Sequence, residues 1–88
     1  MIHPSGILDE VSGRALLGEV CQALSAGEER VVIACEGITF MDSNGFSALV
    51  RCLKKVREAG HRLSLQSPGP QMKMVLEMTG TDKIFEVV

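Results

Sequence analysis

The ten residues FMDSNGFSAL, positions 40–49, join two different patterns. Upstream, VVIACEGITF (31–40) is rich in β-branched and apolar residues, the composition of a strand. Its unbroken hydrophobicity over 31–36 fits a strand covered on both faces; Gly37 interrupts it, and ITF extends or resumes it. Downstream, Phe46, Leu49, Val50, Leu53 and Val56 recur at three- and four-residue spacing, which predicts a helix over 44–59. Between the two lie Asp42, Ser43 and Asn44, all residue types that cap helix N-termini, and then Gly45. A strand that runs through a polar turn into a helix is the building step of an α/β sheet, and such junctions are where α/β proteins place their sites.

The rest of the chain repeats the step. Residues 8–26 predict a helix, with Val11, Ala15, Leu16, Val20, Cys21 and Leu24 as its apolar spacing. Asp9 or Ser12 is its cap, and Gly27 stands where a C′ glycine belongs. RLSLQ (62–66) reads as a strand. SPGP then launches a helix over 71–79 that turns Met72, Val75, Leu76 and Thr79 inward, and Met74 and Met78 share a more exposed strip. Gly80 closes that helix, Asp82 caps one more turn, and IFEVV is a last short strand. Strands alternating with helices predict one α/β domain over 1–88 with a mostly parallel sheet.

Bulk properties narrow the function. The 88 residues carry a net charge of −2 and only three aromatic residues, all Phe. That balance argues against a nucleic-acid binder, which needs a basic face and stacking platforms. Arg51, Lys54, Lys55 and Arg57 read as a solvated helix face that could steer an acidic partner. The cysteines, Cys21, Cys35 and Cys52, are odd in number and lack metal-ligand spacing, so they read as small core residues in a reducing cytosol. No apolar run is long enough to span a membrane and the first residues have no signal-peptide pattern, so the expected location is cytoplasmic without membrane insertion. Nothing in the residues suggests a metal, cofactor or prosthetic group.

Two catalytic readings are weak. A hydrolase built on Asp42, Ser43 and His61 would need a glycine two residues before the nucleophile, and position 41 is Met. A phosphoacceptor role for Asp42 would need an acidic pair from another strand end, and Glu36 belongs to the same apolar run. His3 reads as a solvated terminal residue. Ser43 is the sharper candidate. A helix N-terminus carries unpaired N–H groups and partial positive charge, so a phosphate on Ser43 would be tolerated there while reversing the local charge. Ser43 is therefore expected both to cap the helix and to accept a phosphate.

Three segments resemble the STAS domain family, the anti-sigma factor antagonists of bacteria. ITFMDSNGFSALV resembles the family's strand-ending Asp-Ser-Ser-Gly-Leu before a helix. PSGILD (4–9) resembles its Ser/Thr-Gly-x-Leu-Asp turn, and VLEMTGTDKIFEV (75–87) its closing Leu-x-x-Thr-Gly-Leu-x-x-Ile/Phe. The resemblance implies a STAS-like α/β fold with a mostly parallel mixed sheet. It implies a non-enzymatic domain that binds an anti-sigma factor which is also a serine kinase. That kinase phosphorylates Ser43 and so releases the domain, and a serine phosphatase resets it. Asp9, Asp42, Ser43, Asn44 and Gly45 would form the partner surface. The alternative is a constitutive scaffold or subunit of a larger complex.

Three features depart from the family pattern. Asn44 stands where a second Ser is usual, and Phe46 replaces a Leu. The family's full N-terminal strand is shortened or missing here, which leaves an edge and an expected weak tendency to self-associate.

Overall fold

The computed structural model describes residues 1–88. Five strands and three helices follow one another as β1 (Gly6–Leu8), α1 (Glu10–Ser25), β2 (Arg30–Ala34), β3 (Ile38–Met41), α2 (Ser43–Glu58), β4 (Arg62–Gln66), α3 (Pro70–Thr79) and β5 (Glu86–Val87), with one 3-10 turn at Thr81–Lys83. This is the expected α/β alternation. Every strand pairing is parallel, in two sheets: β1 with β3, and β2–β4–β5 with β4 in the middle.

The run 31–41 thus serves both sheets. Cys35 donates its N–H to Gln66 O at 2.8 Å, still within the β2–β4 ladder. The chain then turns at Glu36 and Gly37 and resumes as β3 beside β1. Near the N-terminus, Ile2 forms a single parallel bridge with Ile33. Ile2 N–H donates to Val32 O at 2.9 Å and Ala34 N–H donates to Ile2 O at 2.8 Å, on the free edge of β2.

The core lies between the sheets and the helices. Leu8, Leu16, Ile33, Leu49, Leu65 and Leu76 are each at most 2% exposed, and burying a side chain of this size stabilises by roughly 1.5–3 kcal/mol. In α2 the expected stripe is buried at Leu49, Leu53 and Val56 and half-buried at Phe46 and Val50. In α3, Met72 and Leu76 are buried and Val75 is half-buried, while Met74 and Met78 face solvent. Thr79 is exposed rather than inward, because its hydroxyl bonds back to Val75 O at 2.8 Å in the last helical turn.

Helix α1 corrects the sequence reading most. Leu8 belongs to β1, and the helix starts after Asp9. Its buried face is Gly13, Leu16, Val20 and Ala23, whereas Val11, Ala15 and Cys21 are exposed. The physical reason is the close approach of α1 to α2. A Cβ on Gly13 would lie 2.6 Å from the Ala48 Cβ, so the glycine is the contact point and the helix is rotated about it. Cys21 is therefore not a core residue. Cys35 and Cys52 are, and burial pushes their thiols up to about 11 and about 12.

A polar cluster ties the short last strand to the sheet. Parallel pairing sets Arg30 of β2 beside Arg62 of β4, a like-charge pair that needs an acceptor. Glu86 of β5 supplies it, receiving Arg30 and Arg62 at 2.6 Å each and the Ser64 hydroxyl at 2.7 Å. Ser64 in turn accepts Arg30 Nε at 3.0 Å, which explains how a fully buried serine is accommodated in β4. No helix is long and apolar enough to cross a membrane.

Candidate functional site

Strands β1 and β3 run parallel and end together, with Leu8 paired to Met41. The next residue of each strand is an aspartate, and each aspartate caps a helix. Asp9 Oδ1 accepts the Ser12 N–H at 3.0 Å, and the Ser12 hydroxyl accepts the Asp9 N–H at 2.9 Å, a reciprocal capping box. Both cap candidates of the sequence reading thus act together. The backbone and hydroxyl hydrogen bonds from Ser12 hold the Asp9 carboxyl below its ordinary value. Asp42 Oδ1 accepts the Gly45 N–H at 2.8 Å. The two junctions touch, because Asp42 N–H donates to Leu8 O at 3.1 Å.

Ser43 is the first residue of α2 and is exposed. It is not the cap: Asp42 holds that position, with the extended backbone that a cap requires. The expectation that Ser43 caps the helix is corrected accordingly. Its hydroxyl enters no hydrogen bond of the molecule and faces solvent beside the N-terminal turn. Asn44 is likewise exposed, and Gly45 is buried beneath them. An added Cβ on Gly45 would fall 2.5 Å from the Leu8 carbonyl carbon and still closer to its oxygen. Only a glycine lets α2 begin this close to β1. The turn is thus a closely packed platform of Asp9, Asp42 and Gly45 with Ser43 and Asn44 on its outer side.

The sequence profile of the STAS domain family matches residues 1–88. The chain is a STAS domain. Among curated relatives, an anti-sigma F factor antagonist from Paenibacillus polymyxa is 23% identical over 88 residues, covering 99% of this STAS domain and 75% of the relative. Among solved structures, a candidate anti-sigma factor antagonist from Thermotoga maritima superposes with a TM-score of 0.84 at 22% identity, over 96% of this chain and 73% of that one. The phosphorylated form of the Bacillus cell fate determinant SpoIIAA gives 0.73 at 21% identity, over 98% and 78%. At these identities the structural likeness shows the shared fold.

One element that positions the site escaped the sequence reading. The Gln71 side chain, at the start of α3, pairs with the backbone of Met41 in both directions. Its Oε1 accepts Met41 N–H at 2.9 Å, and its Nε2 donates to Met41 O at 3.0 Å. It acts as a one-residue strand on the edge of β3, immediately before Asp42. Its partner lies 30 residues away in sequence, so no local pattern announces it. By contrast, His61 follows the C-terminal end of α2. A helix of this length separates it from Ser43 by roughly 24 Å, so no triad with Asp42 and Ser43 forms.

Proposed function

We propose that this STAS domain is an anti-sigma factor antagonist. It binds an anti-sigma factor that is also a serine kinase, and phosphorylation of Ser43 switches it off. The observation that carries this reading is the free, exposed Ser43 hydroxyl on the first turn of α2, where Asp42 caps in its place. Because the cap does not use the serine, a phosphate can be added and removed without unmaking the helix start, where unpaired N–H groups favour an anion. The fold match to the phosphorylated and unphosphorylated forms of SpoIIAA supports it.

The domain works as a non-enzymatic binding module in the cytosol, and a serine phosphatase restores the neutral hydroxyl. Asp9, Asp42, Ser43 and Asn44 form the contact surface; Gly45, expected there from the sequence, is buried beneath them and sets the position of the turn. A phosphate beside the Asp42 carboxylate concentrates negative charge where the partner fits a neutral hydroxyl. Losing affinity a hundredfold needs only about 2.7 kcal/mol, within the range of a mismatched interfacial charge.

The test is to isolate the tagged protein from its own host, locate phosphate by mass spectrometry and identify what co-purifies. The expected result is phosphate on Ser43 and a serine-kinase partner retained by Ser43→Ala and lost by Ser43→Asp. Equal retention by the two variants overturns the switch. A stable non-kinase partner with Ser43 never phosphorylated assigns the domain to a constitutive assembly instead.

A further inference from the structure

Helices α1 and α2 meet at Gly13 and Ala48, and above that contact a cleft of about 310 Å³ opens to solvent. This is at the small end of the roughly 300–1,000 Å³ range of ligand sites. Its walls follow from helical spacing. Asn44, Ser47 and Arg51 recur every three or four residues and form one stripe along α2. Glu10, Arg14 and Leu17 form the facing stripe along α1.

The chemistry of this cleft is one-sided. The side chains of Asn44, Ser47 and Arg51 line it and enter none of the molecule's hydrogen bonds or ion pairs. Arg14 is engaged only by Glu10, at 2.7 Å, in a pair whose side chains are 78% and 63% exposed. Such a pair is worth little and exchanges readily. The cleft therefore offers two guanidinium groups, a hydroxyl and a carboxamide as donors, against one carboxylate. It also begins at the first turns of both helices, where the backbone partial charge is positive. Lys54 and Lys55 on the following turn add to the field. Leu17 and Ala48 give a small apolar floor.

We propose that the α1–α2 cleft binds a small soluble phosphomonoester, with Arg51 and Arg14 gripping the phosphate from opposite walls and Ser47 and Asn44 completing its shell. A tetrahedral phosphate presents oxygens to both walls at once, whereas a planar carboxylate satisfies one guanidinium fork. The inference does not depend on what happens at Ser43.

The test is an NMR titration of the isotope-labelled protein with glycerol phosphate at constant ionic strength, with sodium chloride as the control. Saturable shifts are expected at Asn44, Ser47, Arg51 and Arg14. Arg51→Gln, an exposed position that leaves the fold intact, weakens binding about tenfold or more, in keeping with the loss of a bidentate charged contact. Arg51→Lys also weakens it, because an ammonium keeps the charge but not the fork. Lys83→Gln, which removes an exposed charge outside the cleft, leaves it unchanged. Shifts that never saturate, that centre on Lys54 and Lys55, or that survive in Arg51→Gln overturn the proposal.

Discussion

Gly45, in the first turn of α2, lies so close to Leu8, the last residue of β1, that no side chain fits between them. The Leu8 carbonyl also accepts the Asp42 N–H, so the start of α2 is fixed to β1 from two directions. Gly45→Ala therefore forces β1 and α2 apart. The expected loss is about 3 kcal/mol or more, at the severe end for overpacking. Urea denaturation measures it. A loss under about 1 kcal/mol, the scale of propensity effects alone, would show that the junction yields.

Asp42 and Ser43 separate the cap from the acceptor. Asp42→Ala removes the acceptor of the Gly45 N–H and is expected to lower stability by about 1 kcal/mol. Asp42→Asn keeps most of that stability. Ser43→Ala removes a hydroxyl with no partner and stays within about 0.5 kcal/mol of the parent. Thermal unfolding of the three variants decides the assignment; the reverse order would return the cap to Ser43.

Gln71 and Met41 are tied by two hydrogen bonds that no backbone pairing replaces. Gln71→Leu keeps the side chain's bulk but strands the Met41 N–H and C=O, at a cost of about 1–3 kcal/mol. Hydrogen exchange at the Met41 amide should accelerate in this variant more than exchange across β2 and β4. Uniform acceleration would mean that Gln71 stabilises the whole fold rather than the site edge.

Glu86 gives the molecule an acid-sensitive contact. The Ser64 hydroxyl, followed by Arg62 and Arg30, holds its carboxyl below the ordinary value. A lowered folded-state value means that the unfolded chain binds the proton more tightly. The stabilisation is thus present above the ordinary glutamate value of about 4.3, and it is lost as pH falls through the lower folded value. Capped Asp9 acts in the same direction. In Glu86→Gln the fall of Tm between neutral and acid pH should be shallower than in the parent. Parallel profiles would remove Glu86 from the acid response.

The cysteines divide by burial. Cys21 is exposed, while Cys35 and Cys52 are buried with thiols raised to about 11 and about 12. A thiol reagent near pH 8 should modify Cys21 in the native protein and reach the other two only in denaturant. Mass spectrometry with Cys21→Ser as the control reads this directly, and rapid native labelling of Cys52 would contradict the packing of α2.

The sequence alone determined the alternation of helices and strands, the junction at residues 40–49 and the exposed strip on α3. These rest on short-range physics: strand propensity, helical spacing, and caps whose partners lie three residues away. The inner face of α2 was readable for the same reason, since Arg51, Lys54, Lys55 and Arg57 mark its outer side. In α1 apolar residues occupy nearly every side, and periodicity could not choose among them; contact between Gly13 and Ala48 did. Tertiary structure likewise divided 31–41 between two sheets, gave the cap to Asp42 rather than Ser43, set Gln71 against Met41 and brought Arg30, Arg62 and Glu86 together. Apart from the cap, each of these joins residues far apart in the chain, so its energy exists only once the fold has closed. The cap was a choice among three adjacent polar residues, and the fixed approach of α2 to β1 made it.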